Sequence, residues 1–285
     1  MLAIIDGDVV CHVACKSRWE SKARIEIDEH GKRVSFVRLD EDGKRKELEF
    51  TNDEDTKYLT ECWEHLQKHI KGIMDQTFAT QMKMAIKGEN NFRHEIYPEY
   101  KLKRKHDPSK QNIFIPLLRQ LMVAEDMAVK ADGCEADDLI RQWAEEARTA
   151  GEPFIICSND KDLKCIHGRH FNIKKNEFFQ VTQEESLKFF YEQLLMGDPV
   201  DNIKGVLGVG PVGAKKMLAL VDTEEEYQRV VVREYRFIYK KDWYKELVLN
   251  GKLLHIRRHP EDNFDPSEWS AVKQMLEENN NEGQT

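Results

Sequence analysis

A chain of 285 residues has room for one large domain or two small ones. Hydrophobic residues make up 40% of it and charged residues 34%, enough for a core under a strongly charged surface. No run approaches the ~18 consecutive apolar residues a membrane span needs, and the net charge of −8 argues against a polyanionic ligand only if the acids are spread evenly.

The chain opens on an apolar run, Leu2 to Ile5, that ends in Asp6-Gly7-Asp8. It lacks a basic leader region and reads as the first strand of a parallel sheet. A helix is expected through Val10 to Trp19. The six cysteines, at 11, 15, 62, 134, 157 and 165, form no Cys-x-x-Cys pair. They read as reduced thiols of a cytoplasmic protein. Cys11, His12 and Cys15 could suit zinc, but half-buried thiols on a helix are the simpler reading.

Residues 23–50 alternate in short runs separated by Glu29-His30-Gly31-Lys32 and Glu41-Asp42-Gly43-Lys44. They predict an antiparallel meander inserted in the main fold. Asp55 to Thr77 has helical periodicity through Leu59, Trp63, Leu66 and Ile70. Gln81 to Ile86 reads as a core strand, 93–112 as a basic loop, and Ile113 to Met122 as a helix. Met127 to Val129 reads as a short strand, Glu135 to Thr149 as a helix, and Phe154 to Cys157 as a buried strand. Strands alternating with helices predict an α/β fold with a mainly parallel central sheet flanked by helices. It fills residues 1–182. From 183 to 276 the pattern turns helical, at Leu187 to Met196, Ala214 to Leu220 and Thr223 to Lys241. Residues 277–285 read as a disordered tail.

Four acidic clusters stand out: Asp6 with Asp8, Glu135-Ala136-Asp137-Asp138, Asp160 with Asp162, and Asp198 with Asp201. Glu135 and Asp138 are spaced to share a helix face. In open parallel sheets ligands bind beyond the carboxyl ends of strands, where Asp6, Asp160 and Asp162 would arrive. Carboxylates that converge need cations, because their repulsion otherwise raises their pKa values or parts them. Hard oxygen ligands suit Mg²⁺ or Mn²⁺, and a pair of such ions is a known solution for phosphodiester hydrolysis.

Bases gather elsewhere. Residues 92–105 place Lys101, Lys103, Arg104 and Lys105 after Arg93, with Phe92, Tyr97 and Tyr100 interleaved. That mixture suits phosphate contacts and stacking on exposed bases. Gly205 to Lys216 is sharper. Gly208, Gly210 and Gly213 lead into a helix that carries Lys215 and Lys216. Glycines let backbone N–H groups approach a phosphate, the logic of a helix–hairpin–helix clamp on a DNA backbone. With no Gly-Lys-Ser/Thr, a Walker loop is excluded.

Taken together, these residues resemble the 5′→3′ exonuclease and flap endonuclease family, especially its compact bacteriophage members. The resemblance rests on Ile5-Asp6-Gly7-Asp8, Phe92-Arg93-His94-Glu95 with Tyr100-Lys101 and Arg104, Glu135 to Asp138, Ser158 to Asp162, and Met196 to Ile203 running into Gly205 to Lys216, all in the family's order. It implies an α/β nuclease domain related to PIN folds, an arch over 93–112 that clamps a 5′ end, and two metal sites. Glu135, Asp137, Asp138 and Asp160, with Asp6 nearby, would serve the first ion. Asp162, Asp198 and Asp201 would serve the second. Lys101 and Arg104 would contact the scissile phosphate. Arg93, Lys103, Gly208, Gly210, Gly213, Lys215 and Lys216 would bind DNA, with K⁺ at the hairpin. The resemblance implies a monomer acting in replication or recombination alongside replication proteins, in a host cytoplasm if viral, with flap or RNase H-like cleavage as a side activity.

Two departures qualify it. The family's second strand usually ends in Asp, where this chain has Ile86-Lys87-Gly88-Glu89; either Glu89 or Asp8 substitutes or the ligand is missing. The arch segment is also short. A PIN-type ribonuclease would share the acidic sheet edge without needing the glycine hairpin. A structure-specific DNA-binding protein would keep the bases around a degenerate metal site.

Overall fold

The computed structural model describes residues 1–15, 23–27, 33–39, 45–47, 53–102 and 114–275. The 277–285 tail lies outside the described residues, as do Trp19, Lys103 and Arg104. The chain divides into two compact units. The first takes Met1–Asn90, Lys105–Asn159 and Arg169–Phe179, and the second Asn91–Arg104, Asp160–Gly168 and Gln180–Thr285.

The first unit is built on strand β1 (Leu2–Asp6), whose five residues are all buried. An unbroken apolar run fits a strand covered on both faces. Helix α1 (Gly7–Ala14) starts where Asp6 accepts a hydrogen bond from the Val9 N–H at 3.2 Å. Strands β2 (Ala23–Ile27), β3 (Arg33–Leu39) and β4 (Arg45–Glu47) pair antiparallel as a separate three-stranded sheet, the expected meander. Helix α2 (Asp53–Thr77) leads to β5 (Gln81–Asn91), and α3 (Phe92–Ile96) follows. Helix α4 (Phe114–Ala124), β6 (Val129–Gly133), α5 (Ala136–Thr149), β7 (Phe154–Cys157), β8 (Gly168–Asn172) and β9 (Glu177–Val181) complete this half of the sequence.

The main sheet has the order β6-β5-β1-β7-β8-β9. β1 runs parallel to both β5 and β7, and β7 parallel to β8. The expected parallel α/β sheet is present. Ile5, Val10, Leu66, Ile86, Leu118, Met122 and Ile155 lie in its buried core. Two strands depart from expectation. β5 runs five residues past Ile86, because backbone pairing continues where the apolar signal stops. β6 starts two residues later than the expected Met127–Val129 run and shares only Val129 with it; it is an edge strand, where Lys130 and Asp132 are tolerated.

The second unit is helical from α6 (Gln183–Met196) through α7 (Pro211–Met217), α8 (Glu224–Tyr239) and α9 (Trp243–Leu254). Capping boxes start α6 at Thr182 with Glu185 and α8 at Thr223 with Glu226. Tyr191, Leu194, Tyr227, Val231, Tyr235, Trp243 and Leu247 fill its core. Among the described residues no helix is long and apolar enough to cross a membrane. Cys11 and Cys15 are buried, and Cys11 lies 3.3 Å from the Met122 sulfur. Burial pushes the Cys11 thiol up to about 12, which suits a packing thiol rather than a metal-binding thiolate.

Candidate functional site

In the first unit, the acids lie at strand and helix ends. Asp6 is buried at the end of β1, and its Oδ2 accepts from the Ser158 hydroxyl at 2.7 Å. Ser158 directly follows β7, the parallel neighbour of β1. Glu135 is the N-cap of α5, and the fully buried Asp138 reaches back to accept the Glu135 N–H at 2.9 Å. Asp137 and Asp138 both stand in the first turn, where the helix dipole favours negative charge.

The departure in the second strand has a structural explanation. A side chain at Gly88 would put its Cβ 2.3 Å from the Ala131 carbonyl, so β5 and β6 approach too closely there for Asp. Asp8 occupies the neighbouring space. Its Oδ2 accepts the Lys87 N–H at 3.1 Å, and its Oδ1 meets Arg119 Nε at 2.7 Å. The Glu89 side chain is 85% exposed and lies 3.8 Å from Lys130.

In the second unit, four acids are linked through a short chain of contacts. Asp160 Oδ1 accepts the Asp162 N–H at 2.8 Å, fixing the start of a 3-10 turn at Asp162–Cys165. The Lys161 ammonium sits 3.4 Å from Asp162 Oδ1 and 3.4 Å from Asp198 Oδ2. Asp198 Oδ1 accepts from the Val200 N–H at 2.8 Å and the Asp201 N–H at 3.3 Å. A two-way backbone pairing of Asp198 with Ile203 closes this loop. Asp201 Oδ2 accepts from the Tyr100 hydroxyl at 3.4 Å and meets Lys101 Nζ at 3.7 Å, while its carbonyl accepts the Lys101 N–H at 2.9 Å. Asn202 donates to the Glu99 carbonyl at 3.0 Å.

The electrostatics follow. Burial first, then the Asp160 charge, lifts Asp162 to about 6, with Lys161 opposing. Among the described residues, no three acid, histidine or cysteine side chains already converge as a metal site. Lys161 and Lys101 place ammonium groups beside Asp162, Asp198 and Asp201, where positive charge offsets carboxylate repulsion. The donor set of carboxylate oxygens fits a hard divalent cation.

The bases divide. Lys101 has a left-handed φ of 58° and holds its ammonium 4.9 Å from the Tyr100 ring centroid. Gly208, Gly210, Lys215 and Lys216 are exposed and Gly213 half-buried around α7, beside exposed Leu207 and Val212. Arg93 corrects the sequence reading. It is 2% exposed, and its guanidinium donates to the Leu253 carbonyl at 2.9 Å and the His255 carbonyl at 2.7 Å. It ties α3 to the end of α9 and has no surface left for a phosphate. Arg93→Met is expected to cost about 3 kcal/mol, because two buried carbonyls lose charged donors. A urea midpoint unchanged beside weakened DNA binding would return Arg93 to the nucleic-acid surface.

Sequence reasoning missed Gln193, Tyr100 and Ser158 as partners of the acids. The serine and tyrosine lie inside quoted motifs and were within reach of inspection. Gln193 had no local signal.

The model of the 5′-3′ exonuclease N-terminal, resolvase-like domain matches residues 41–192, more than half of the chain. DNA polymerase I of Bacillus caldotenax is 33% identical over 171 residues, which are 55% of this chain and 20% of that protein. The chain therefore spans only about a fifth of that polymerase. A 5′-3′ exonuclease of Mycoplasma pneumoniae is 27% identical over 226 residues, 73% of this chain and 68% of its own length. A solved structure of T5 5′-exonuclease with zinc bound has a TM-score of 0.52 at 16% identity, covering 89% of this chain and 86% of that one. A second, of the T5 D15 protein co-crystallised with metal ions, has a TM-score of 0.50 at 15% identity, covering 88% of each chain. At such identities these likenesses speak for the fold alone. The domain match, set on a parallel sheet with acids at its strand ends, places the chain in the 5′-3′ exonuclease family.

Proposed function

We propose that this protein is a divalent-metal-dependent 5′→3′ exonuclease that hydrolyses DNA phosphodiesters, with flap endonuclease or RNase H-like cleavage on related substrates. The observation that carries the reading is the linked acid group Asp160, Asp162, Asp198 and Asp201, held by backbone and lysine partners in a member of this family. Family relatives named as 5′-3′ exonucleases support the reaction, and a donor set made of carboxylate oxygens supports dependence on a hard divalent cation.

Mg²⁺ or Mn²⁺ is assigned to two acid groups, each within its own unit: Asp6, Glu135, Asp137 and Asp138 in the first, and Asp162, Asp198 and Asp201 in the second, with Asp160 grouped with Asp162, whose N–H it accepts, rather than with Glu135 as the resemblance implies. Asp8 takes the part of the missing second-strand carboxylate. Bound divalent cations supply activation of the attacking water and neutralisation of the leaving oxygen. The chain's own residues do the rest. Ser158 fixes the rotation of Asp6, and the backbone N–H groups of Val200 and Asp201 fix that of Asp198. Lys161 and Lys101 offset the charge of Asp162, Asp198 and Asp201, and Lys101, with Arg104, would contact the substrate phosphate. Gly208 to Lys216 is read as a helix–hairpin–helix that grips the duplex backbone, with Lys103 adding charge on the 93–112 loop and K⁺ at the hairpin. The protein is read as a monomer that acts beside replication proteins.

A pH dependence follows from Asp162. Its folded pKa, about 6, lies above the ordinary carboxyl value of 3.8, so its contribution to stability is fully present below about pH 4 and is lost as pH rises through 6. In the metal-free protein Asp162 alone is expected to take away about 3 kcal/mol over that window. Mg²⁺ needs the ionised carboxylate, so the Mg²⁺-induced rise in melting temperature should be larger at pH 7.5 than at pH 5. An equal rise at both would contradict the role of Asp162.

The test of the reaction is a Mg²⁺ titration with matched 5′-labelled DNA and RNA duplexes. Cleavage of the DNA that rises with Mg²⁺ supports the proposal. Preferential cleavage of the RNA would assign a PIN-type ribonuclease, and no cleavage of either would leave a DNA-binding protein.

A further inference from the structure

The second unit buries a polar pair that the reading above does not use. Gln193 on α6 is 3% exposed, and Cys165 at the end of the 3-10 turn is 4% exposed. The next two residues along α6, Leu194 and Leu195, are core residues. A buried amide in such company is costly unless it is hydrogen-bonded, so its partners show what it is for.

Those partners make opposite demands. Gln193 Nε2 lies 2.8 Å from Asp162 Oδ1, and Gln193 Oε1 lies 3.0 Å from Cys165 Sγ. An ionised carboxylate only accepts hydrogen bonds, whereas a thiol can donate one. A single amide orientation satisfies both: the NH₂ group faces the carboxylate, and the carbonyl takes the S–H. The flipped amide would press its oxygen against Asp162. The thiol thus selects the amide orientation, and the amide fixes the rotation of the Asp162 carboxylate.

We propose that Gln193 is a positioning residue for divalent-metal binding by Asp162, held in its working orientation by the Cys165 thiol. The proposal rests on the reading of Asp162 as a metal-binding carboxylate. Gln193 touches no substrate; it acts through Asp162 by restricting the carboxylate that a cation would bind. Partners of this kind are worth about 10–100-fold in metal affinity.

The test uses the full chain and compares the wild type with Asp162→Asn, Gln193→Met, Cys165→Ala and Cys165→Ser. Mn²⁺ binding is followed by calorimetry and the Mg²⁺ dependence of cleavage by product release. Methionine keeps the unbranched shape of glutamine and removes the donor. Gln193→Met is expected to weaken Mn²⁺ binding about tenfold and to raise half-saturating Mg²⁺ alike, with the rate at saturating Mg²⁺ within about threefold. A residue that only supported the fold would not shift metal affinity while sparing that rate. Cys165→Ala should fall between wild type and Gln193→Met, and Cys165→Ser, which restores a donor, should recover wild-type affinity. Mn²⁺ affinity within about twofold of wild type in Gln193→Met, while Asp162→Asn loses binding, would overturn the proposal alone. Unchanged binding in Asp162→Asn would overturn the metal reading and the proposal together. Should Gln193→Met fail to fold, equal affinity in the wild type and both Cys165 variants would overturn it.

Discussion

Asp160→Asn is expected to abolish Mg²⁺-dependent cleavage and leave the folded protein able to bind DNA in Ca²⁺. Asp160 is exposed, and its Oδ1 accepts the Asp162 N–H. An asparagine carbonyl can accept the same bond, so the 3-10 turn survives and the stability change should stay within about 0.5 kcal/mol. What is lost is a negative oxygen for a cation. Loss of about 4 kcal/mol of transition-state stabilisation corresponds to a rate fall of roughly a thousandfold. Near-normal Mg²⁺-dependent rates in this variant would remove Asp160 from the metal group.

Gly205→Ala has the largest expected effect on stability. Gly205 has φ +59°, and a Cβ there would lie 2.2 Å from the Gly197 backbone nitrogen. Gly197, at φ +66°, faces it with the same lack of room. Gly205 is also held from outside: its N–H donates to Asn250 Oδ1 at 3.1 Å, and its carbonyl accepts from the Tyr239 hydroxyl at 2.5 Å. The loop between the two glycines carries Asp198 and Asp201. Backbone collision plus a left-handed alanine is expected to cost about 4 kcal/mol, a fall of roughly 10 °C in melting temperature for a protein of this size. Cleavage should fall with it, because the acids move when the loop is forced open. A melting temperature within a few degrees of wild type would show that the loop yields easily.

The parts of the fold visible in the sequence were those with local causes. β1 and β7 are unbroken apolar runs, and α5 begins where Glu135 and Asp138 cap it. The antiparallel meander was legible from its turn residues. β8 and β9 were not, since Gly168–Asn172 is short and mostly polar and Glu177–Val181 is short, with Phe178 and Phe179 exposed and no alternation. α9 was missed because Asn250 and Gly251 interrupt its pattern; both are buried, Asn250 against Gly205 and Gly251 against the Phe264 ring. The acids of the candidate site stood out by their order along the chain. Their partners did not. Arg93 looked like a surface base because nothing near it in sequence announces the carbonyls of Leu253 and His255. Asp8 and Glu89 are both candidates in the sequence for the missing carboxylate, and the contact of Asp8 with the Lys87 N–H and the exposure of Glu89 favour Asp8.

Metal-dependent cutting from a 5′ end is tested by product mapping on 5′-labelled flap, nicked and blunt DNA duplexes, with Mg²⁺ and with EDTA. Short labelled products are expected from each substrate in Mg²⁺, none in EDTA, and none when the 5′ ends are blocked. Full-length label in Mg²⁺ on all three substrates, or degradation that begins at the 3′ end, would contradict it.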